Sequence, residues 1–162
     1  MLFSTSLGEF PYRIGDTVDL AVQIEKNVFR GEIKPSVHIK EMRFSDTDEE
    51  NYLKSMRLYE KYRHGDALNE KEISFLTPSR AFLLGVYKFM KTAGKFPFDM
   101  EVFCKRSGCP YKNAATAAVS FDVLTELCLL ERDENGAYLY AESTQKADLS
   151  ASNILKTLSE KG

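Results

Sequence analysis

The stretch VDLAVQIEKNVFRGEIKPSVHIKEMRF, residues 18–44, constrains the fold more than any other part of the chain. Apolar and polar residues alternate with a period of two, which predicts a strand with one buried face. The apolar positions are Val18, Leu20, Val22 and Ile24, with Asp19, Ala21, Gln23 and Glu25 between them. A connection closed by Gly31 follows, and the alternation resumes at Val37 and Ile39, with His38 and Lys40 facing outward. The pattern predicts an antiparallel hairpin.

A hairpin of this size cannot stand alone in water, so a larger sheet is expected. Pro35 removes a ladder donor, which predicts an edge strand or a bulge at that position. The segment LFSTS, residues 2–6, is a candidate for one further short strand. Three strands are too few for a closed barrel, and the predicted sheet is therefore incomplete.

Beyond the hairpin the pattern becomes helical. Ser45 followed by Asp48 resembles a capping box, and Tyr52, Met56 and Tyr59 then repeat at helical spacing. Asn69 with Glu72 predicts a shorter helix, and Thr77-Pro78 opens the next, with proline in its first turn. Three helices are expected at about 78–93, 99–107 and 111–128, and an ENG turn between two short strands follows them. Three helices and a hairpin predict a winged helix-turn-helix, and the tail KADLSASNILKTL predicts one more short helix.

The predicted fold class is therefore α+β, with a partial OB-like β-structure followed by a winged helix-turn-helix domain. The expected organisation is residues 1–45 as partial OB-fold strands, 46–76 as an acidic helical connector and 77–162 as the winged-helix domain. Residues 46–76 carry five basic against eight acidic residues, whereas the flanking segments are nearly balanced.

Composition excludes several classes of protein. The net charge of −2 argues against a nucleic-acid binder that works by bulk charge, so any such surface must be a local patch. No apolar run approaches the ~20 residues that a membrane span requires, and the N-terminus lacks the basic region of a signal peptide. A cytoplasmic protein without a membrane partner is expected. The three cysteines contain no CxxC pair, which favours buried thiols in a reducing compartment over zinc.

The hairpin resembles the oligonucleotide-binding (OB) domain of the RecJ family of bacterial single-strand-specific DNA exonucleases. That family has a VDlaf-le-N-(Y/F)-x-G strand and turn that lead into an l-ikdir strand. The matching positions are Asp19, Glu25, Asn27, Phe29, Gly31, Ile39, Lys40 and Arg43. Glu41-Met42 replaces the usual Asp-Ile. The segments TPSRAFLLGVYKFM and KADLSASNIL resemble the C-terminal extension of RecJ from Gram-positive bacteria, so the resemblance covers most of the chain.

The resemblance implies a C-terminal part of such a nuclease without its catalytic domains. The RecJ core is similar to other DHH phosphoesterases, which hold two metal ions, Mn²⁺ or Mg²⁺, in clusters of Asp and His. Here His38 and His64 are the two histidines, and neither lies in an Asp-His-His run. Two-metal hydrolysis needs a dense set of carboxylates and imidazoles. We therefore expect no catalytic residue, metal ligand or cofactor in this chain, and no enzymatic activity of its own.

The hairpin tip is the candidate for binding single-stranded DNA. Phe29 is expected to stack on a base, and Arg30, Lys34, Lys40 and Arg43 to contact phosphates, because OB folds combine aromatic platforms with a cationic groove. Asn27 joins this set through the resemblance. The alternative is an ordinary solvated hairpin with Phe29 under the barrel.

A second candidate surface is the first helix of the predicted winged helix. The basic residues Arg80, Lys88, Lys91 and Lys95 fall within about 80° of one another at ~100° per residue, with Leu84 among them. This stripe is either a docking surface for a partner or a solvated helix face. The acidic tail of single-stranded-DNA-binding protein, which RecJ-like enzymes are expected to meet, has the character that such a surface would bind.

The third helix of the predicted winged helix does not suit DNA reading. Lys112 is its one basic residue, and Asp122 and Glu126 would repel phosphate. Its small residues Ala114, Ala115, Ala117 and Ala118 favour close packing, so a core or protein-interface helix is expected. The alternative function is accordingly a free-standing winged-helix adaptor or regulator that binds protein and not DNA.

Cys104 is interpreted as a core thiol, since a cysteine nucleophile needs an adjacent base. The segment RHGD, residues 63–66, is interpreted as a helix C-cap.

Overall fold

The computed structural model describes residues 11–29, 31–142 and 148–161, with only the backbone for Phe29 and Lys161. They form a mixed α+β fold with one two-stranded and one three-stranded sheet, which confirms the predicted fold class at this level. The chain divides into two compact units, Met1–Thr47 and Asp48–Gly162.

The first unit contains a long antiparallel ribbon of β1 (Val18–Phe29) and β2 (Glu32–Phe44), so the predicted hairpin is confirmed. Pro35 lies opposite Lys26 in regular register, and in this two-stranded ribbon each strand is an edge. The register shifts between Ala21 and Val22, which leaves Lys40 without a cross-strand partner. The β-bulge is therefore at Lys40 and not at Pro35. The candidate strand LFSTS lies outside the described residues.

Aromatic packing closes the base of the ribbon. The ring centroids of Tyr12 and Phe44 lie 4.8 Å apart, and Phe44 is buried. The Tyr12 hydroxyl donates a hydrogen bond to the carbonyl of Met42. The Ser45 hydroxyl donates to the carboxylate of Asp19 at 2.8 Å, so Ser45 belongs to the ribbon and does not cap the first helix.

The second unit contains six helices, three short strands and two 3₁₀ turns among its described residues. In chain order these are α1 (Glu49–Arg63), α2 (Glu70–Leu76), α3 (Arg80–Ala93), β3 (Lys95–Phe96), α4 (Met100–Ser107), a 3₁₀ turn (Tyr111–Asn113), α5 (Ala114–Glu126), β4 (Leu130–Arg132), β5 (Tyr138–Tyr140), a 3₁₀ turn (Leu149–Ala151) and α6 (Asn153–Lys161). The segment 46–76, expected as a connector, contributes α1 and α2, and both pack on α5.

Local side-chain signals determine where the helices begin. The N-cap of α1 is Asp48, whose carboxylate accepts from the Asn51 amide, so the capping box predicted at Ser45 is wrong by one turn. The capping box of Asn69 and Glu72 is confirmed at the start of α2. Ser79 caps α3, one residue after the proline that was expected inside its first turn.

The predicted ENG hairpin is also confirmed, since β4 and β5 pair antiparallel on either side of it. Gly136 alone takes a positive φ in this turn, at 80°. The Asp133 carboxylate accepts from the amides of Asn135 and Ala137 and holds the turn closed. Strand β3 pairs with the other edge of β5, which gives the order β3-β5-β4.

Helix α5 is the centre of the second unit. Every residue from Ala114 to Leu124 is buried, which confirms that this helix is a core element. Its Phe121 ring contacts Phe103 of α4 at a centroid distance of 5.3 Å and Tyr138 of β5 at 4.9 Å. The alanines bring neighbouring helices close, and the aromatic rings fill the space on the other side.

The N-terminus of α5 is capped from a distant part of the sequence. Asn113 makes no side-chain capping bond. Instead the buried hydroxyl of Ser55, on α1, accepts from the Ala115 amide and donates to the carbonyl of Lys112, each at 2.8 Å. Because the first amides of a helix lack partners within it, this one hydroxyl joins α1 to α5.

A carboxylate at the end of α5 caps the last helix. Glu126 accepts from the Ser152 hydroxyl and from the amides of Asn153 and Ile154, at the start of α6. Burial acts to raise the pKa of Glu126, but these hydrogen bonds outweigh it and hold the pKa below the usual 4.5. Leu158 of α6 is then buried.

Replacing Ser55 with alanine should lower the free energy of unfolding of the second unit by about 1–3 kcal/mol, because a buried amide and carbonyl lose their partner. Urea unfolding followed by circular dichroism measures it. Ser74→Ala, at an exposed α2 position, is the matched control and should change little. Equal stability of the two variants would show that Ser55 is not the effective cap.

Glu126→Ala should destabilise the chain by about 0.5–2 kcal/mol at pH 7 by removing the α6 cap. The folded pKa of Glu126 is lowered, so its contribution is present above the unfolded pKa and is lost as the pH falls through the folded value. The difference between wild type and variant should therefore shrink below about pH 4.5. Glu131→Ala, at an exposed β4 position, is the control. A difference that is as large at pH 3 as at pH 7 would contradict a role for the ionised carboxylate.

Candidate DNA-binding and partner-docking surfaces

One face of the ribbon is apolar almost throughout. Residues directly opposite each other share a face, and the pairs here are Val18/Phe44, Leu20/Met42, Val22/Ile39, Ile24/Val37, Lys26/Pro35 and Val28/Ile33. Most of these side chains are open to solvent, from 44% exposed at Val22 to 69% at Ile24. The alternation thus predicts the face correctly, but nothing among the described residues covers its outer part.

The opposite face of the ribbon is polar and carries both signs of charge. Its pairs are Asp19/Arg43, Ala21/Glu41, Gln23/His38, Glu25/Ser36 and Asn27/Lys34, and Glu32 follows on the same face. Arg43 Nε lies 3.4 Å from Asp19 Oδ2, and His38 Nε2 lies 3.6 Å from Glu25 Oε2. These pairs are half exposed, and each contributes little to stability.

The candidate DNA-binding residues fall into two groups. Asn27 and Lys34 are cross-strand partners near the tip, and Lys34 Nζ pairs with Glu32 at 2.8 Å. Arg43 lies near the base, opposite Asp19, and Lys40 occupies the bulge. Arg30 and the side chain of Phe29 lie outside the described residues, so the proposed stacking platform stays a prediction.

The separation of these groups bears on how DNA could bind. Asp19 and Asn27 are eight positions apart on β1, about 26 Å at ~3.3 Å per residue. Four carboxylates share the polar face with its cations, at Asp19, Glu25, Glu32 and Glu41. A ligand would have to follow the length of the ribbon, and its affinity for this face alone would be low and sensitive to salt.

The basic stripe expected on the first winged-helix helix lies on α3. Arg80, Lys88 and Lys91 are exposed, and Leu84 among them is 50% exposed. The structure corrects one member. Lys95 follows Gly94, which ends α3, and lies in β3, where its ammonium pairs with Asp133 at 2.7 Å. The α3 stripe is therefore Arg80, Leu84, Lys88 and Lys91.

The prediction that Asp122 would repel phosphate requires its carboxylate to face solvent. In the structure Asp122 is buried. It is 8% exposed and accepts from the Tyr59 hydroxyl at 2.8 Å, with Arg132 Nη2 at 3.4 Å and Arg63 Nη1 at 3.8 Å. Burial raises its pKa, whereas the tyrosine and the two guanidiniums act in the opposite direction. Asp122 thus joins α1, α5 and β4 inside the unit.

The sequence interpretation missed a groove between α1 and α2, which we call the α1–α2 groove. Its volume is about 340 Å³, and it is lined by Asn51, Lys54, Ser55, Leu58, Lys71, Glu72, Phe75 and Lys112. The four α1 residues follow the spacing i, i+3, i+4, i+7, which places them on one helix face. That spacing was visible in the sequence, but the position of α2 and Lys112 beside it was not.

The cysteines do not form one class. Cys104 is buried, as expected for a core thiol, whereas Cys109 is half-buried and Cys128 is exposed, so the expectation of three buried thiols is wrong. The neighbouring Cys109 thiol, together with burial, raises the pKa of Cys104, and the Cys104 thiol lowers the pKa of Cys109. Among the described residues no group of three or more His, Cys, Asp or Glu is placed to hold a metal ion.

Comparisons with protein-family models, with curated proteins and with solved structures find no match to this chain. None of the helices in the described ranges has both the length and the apolar character that a bilayer crossing requires.

Proposed function

We propose that this chain is a C-terminal accessory module of a RecJ-like single-stranded-DNA exonuclease. In this proposal it holds no catalytic residue, metal or cofactor, and the Mn²⁺ or Mg²⁺ belongs to the nuclease core. The ribbon completes an OB-like structure that guides single-stranded DNA, and the second unit docks a partner in DNA repair or recombination. A cytoplasmic location is part of the proposal.

The exposed apolar face of the ribbon is the observation that carries this proposal. A two-stranded ribbon is marginally stable in water, and burial of apolar surface contributes roughly 25 cal/mol per Å². A row of aliphatic side chains that are 44% to 69% exposed is therefore a surface that favours further β-structure. The strands of an OB barrel in the rest of the nuclease would supply that cover and would leave the polar face for DNA.

The order of elements in the second unit supports a winged helix. Helices α3, α4 and α5, with β3 between the first two and the β4–β5 hairpin at the end, follow the order of that motif. A DNA-reading winged helix presents its third helix to the major groove. Because α5 is buried from Ala114 to Leu124, the unit is suited to binding protein instead.

The α3 stripe supports a docking role. Arg80, Lys88 and Lys91 make no ion pair among the described residues, and the exposed Leu84 offers an apolar contact. Charge of this kind steers an acidic partner, and the leucine supplies a small anchor. The acidic tail of single-stranded-DNA-binding protein is the proposed ligand.

The alternative function is a free-standing adaptor that binds protein and not DNA, and the burial of α5 favours it equally. A genomic reading frame that continues upstream into Asp-His-His motifs would support the nuclease module. A start codon at Met1 preceded by stop codons would support the adaptor.

For the ribbon, Lys34→Ala/Lys40→Ala should weaken binding of single-stranded DNA and lower its salt slope by about 1.4, since each lost phosphate contact removes roughly 0.7. Fluorescence anisotropy of a labelled oligothymidine between 50 and about 200 mM salt measures it. Lys26→Ala, on the apolar face, is the matched control and should leave the slope unchanged. Phe29→Ala should cost about 1–3 kcal/mol if its ring stacks on a base. An unchanged slope in the double variant, or equal affinity for duplex and single strand, would contradict DNA guidance by the polar face.

For the α3 stripe, Lys88→Glu/Lys91→Glu should weaken binding of the single-stranded-DNA-binding protein's tail peptide by about tenfold or more, through lost steering and new repulsion. Isothermal titration calorimetry with the full chain measures it. Lys26→Glu/Lys156→Glu makes the same change in net charge elsewhere and should have little effect. Tight, sequence-dependent binding of duplex DNA would refute a purely protein-docking role.

A further inference from the structure

The α1–α2 groove combines an apolar lining with uncompensated positive charge. Leu58 is half-buried in it, and the Phe75 ring is 39% exposed at its α2 side. Lys54, Lys71 and Lys112 line it from α1, α2 and the turn before α5, and each makes no ion pair within the described ranges. An aromatic and an aliphatic side chain thus line the same groove as three lysines that have no ion pair in the described ranges.

The acidic residue of the groove is already neutralised. Both oxygens of Glu72 accept from Lys61 Nζ, at 2.8 and 2.7 Å, and Glu72 also caps α2. These contacts with Lys61 hold its pKa below the usual range. The charge presented to a ligand is therefore that of the three lysines.

The walls of the groove are fixed by hydrogen bonds that cross between helices. Ser55 binds the start of α5, and the Thr116 hydroxyl of α5 donates to the Phe75 carbonyl at the end of α2, at 2.7 Å. The ion pair of Lys61 and Glu72 joins α1 to α2. A groove held in this way is largely formed before a ligand arrives, which lowers the entropy cost of binding.

We propose that the α1–α2 groove binds an acidic peptide that inserts one apolar side chain between Leu58 and Phe75. A volume of about 340 Å³ is at the small end for ligand sites and suits one large side chain with its flanking backbone. The three lysines then contact carboxylates on either side of that anchor. This site is separate from the α3 stripe and does not depend on membership in a nuclease.

A peptide fits the groove better than a nucleic acid does. Glu70 lies beside Lys71 and Phe75 in the adjoining depression, and no arginine from the described part of the chain lines either surface. A phosphate backbone carries a charge at every nucleotide and would meet Glu70, whereas a peptide can place a neutral residue there. Bidentate phosphate recognition also relies on guanidinium groups.

The probe is a fluorescein-labelled nonapeptide in which aspartates alternate with serines around one central phenylalanine, titrated against the full chain in low salt by fluorescence anisotropy. We expect saturable binding that weakens as salt screens the lysines. Lys54→Glu/Lys71→Glu should weaken it by about tenfold or more. Phe75→Ser should weaken it by about fivefold through loss of the apolar contact, with folding checked by circular dichroism.

Two controls separate this site from others. Lys26→Glu/Lys156→Glu and Lys88→Glu/Lys91→Glu each match the change in net charge and should leave this affinity within about twofold. A peptide with asparagine in place of aspartate should bind at least about tenfold more weakly. Loss of binding in the Lys88→Glu/Lys91→Glu variant but not in the Lys54→Glu/Lys71→Glu variant would overturn the proposed peptide site in the groove and leave the α3 proposal intact. Equal binding of the asparagine peptide, or displacement of the probe by an oligothymidine at lower concentration than by unlabelled peptide, would also overturn it.

Discussion

The burial of α5 on all sides is the constraint on which the second unit depends. A helix can be surrounded this closely only if small side chains let its neighbours approach, and Ala114, Ala115, Ala117 and Ala118 provide that approach. Such a helix has no solvated face to satisfy its polar groups, so they must find partners inside the protein. Ser55 meets this need at its N-terminus and Tyr59 meets it at Asp122. Both partners lie on α1, which therefore belongs to the core of this unit.

The same constraint limits function. Because α5 is committed to packing, recognition by this unit would have to use the surrounding elements, and both candidate surfaces lie on α1, α2 and α3. These helices carry lysines and arginines, and each also has an exposed large apolar residue: Leu53 on α1, Phe75 on α2 and Leu84 on α3. In the proposed docking roles, affinity would come from one small apolar anchor and the charges around it.

Local features of the structure were predictable from sequence, and distant pairings were not. The hairpin, the α2 capping box and the ENG turn depend on residues within a few positions of one another, and alternation or spacing reveals them. The start of α1 was predicted at the wrong residue because Ser45 and Asp48 are both good caps. The choice between them was made by Asp19, which lies 26 positions earlier and accepts from Ser45. The sequence places Lys95 on the helical stripe because a helical-wheel projection at ~100° per residue does not show where a helix ends. The helix ends at Gly94, so Lys95 lies beyond it.

The candidate sites also combine features that local sequence predicts with features that depend on distant contacts. The two faces of the ribbon follow from its period of two, but the ion pairs that occupy Lys34 and Arg43 depend on which carboxylates lie beside them. In the α1–α2 groove the position of Lys112 depends on the hydrogen bond that the Ser55 hydroxyl donates to the Lys112 carbonyl, across 57 positions of sequence. The contact that caps α5 therefore also places one of the three lysines at the groove. If the Ser55 hydroxyl is needed both to cap α5 and to place Lys112, then the stability of the second unit and the shape of the α1–α2 groove are coupled through a single residue.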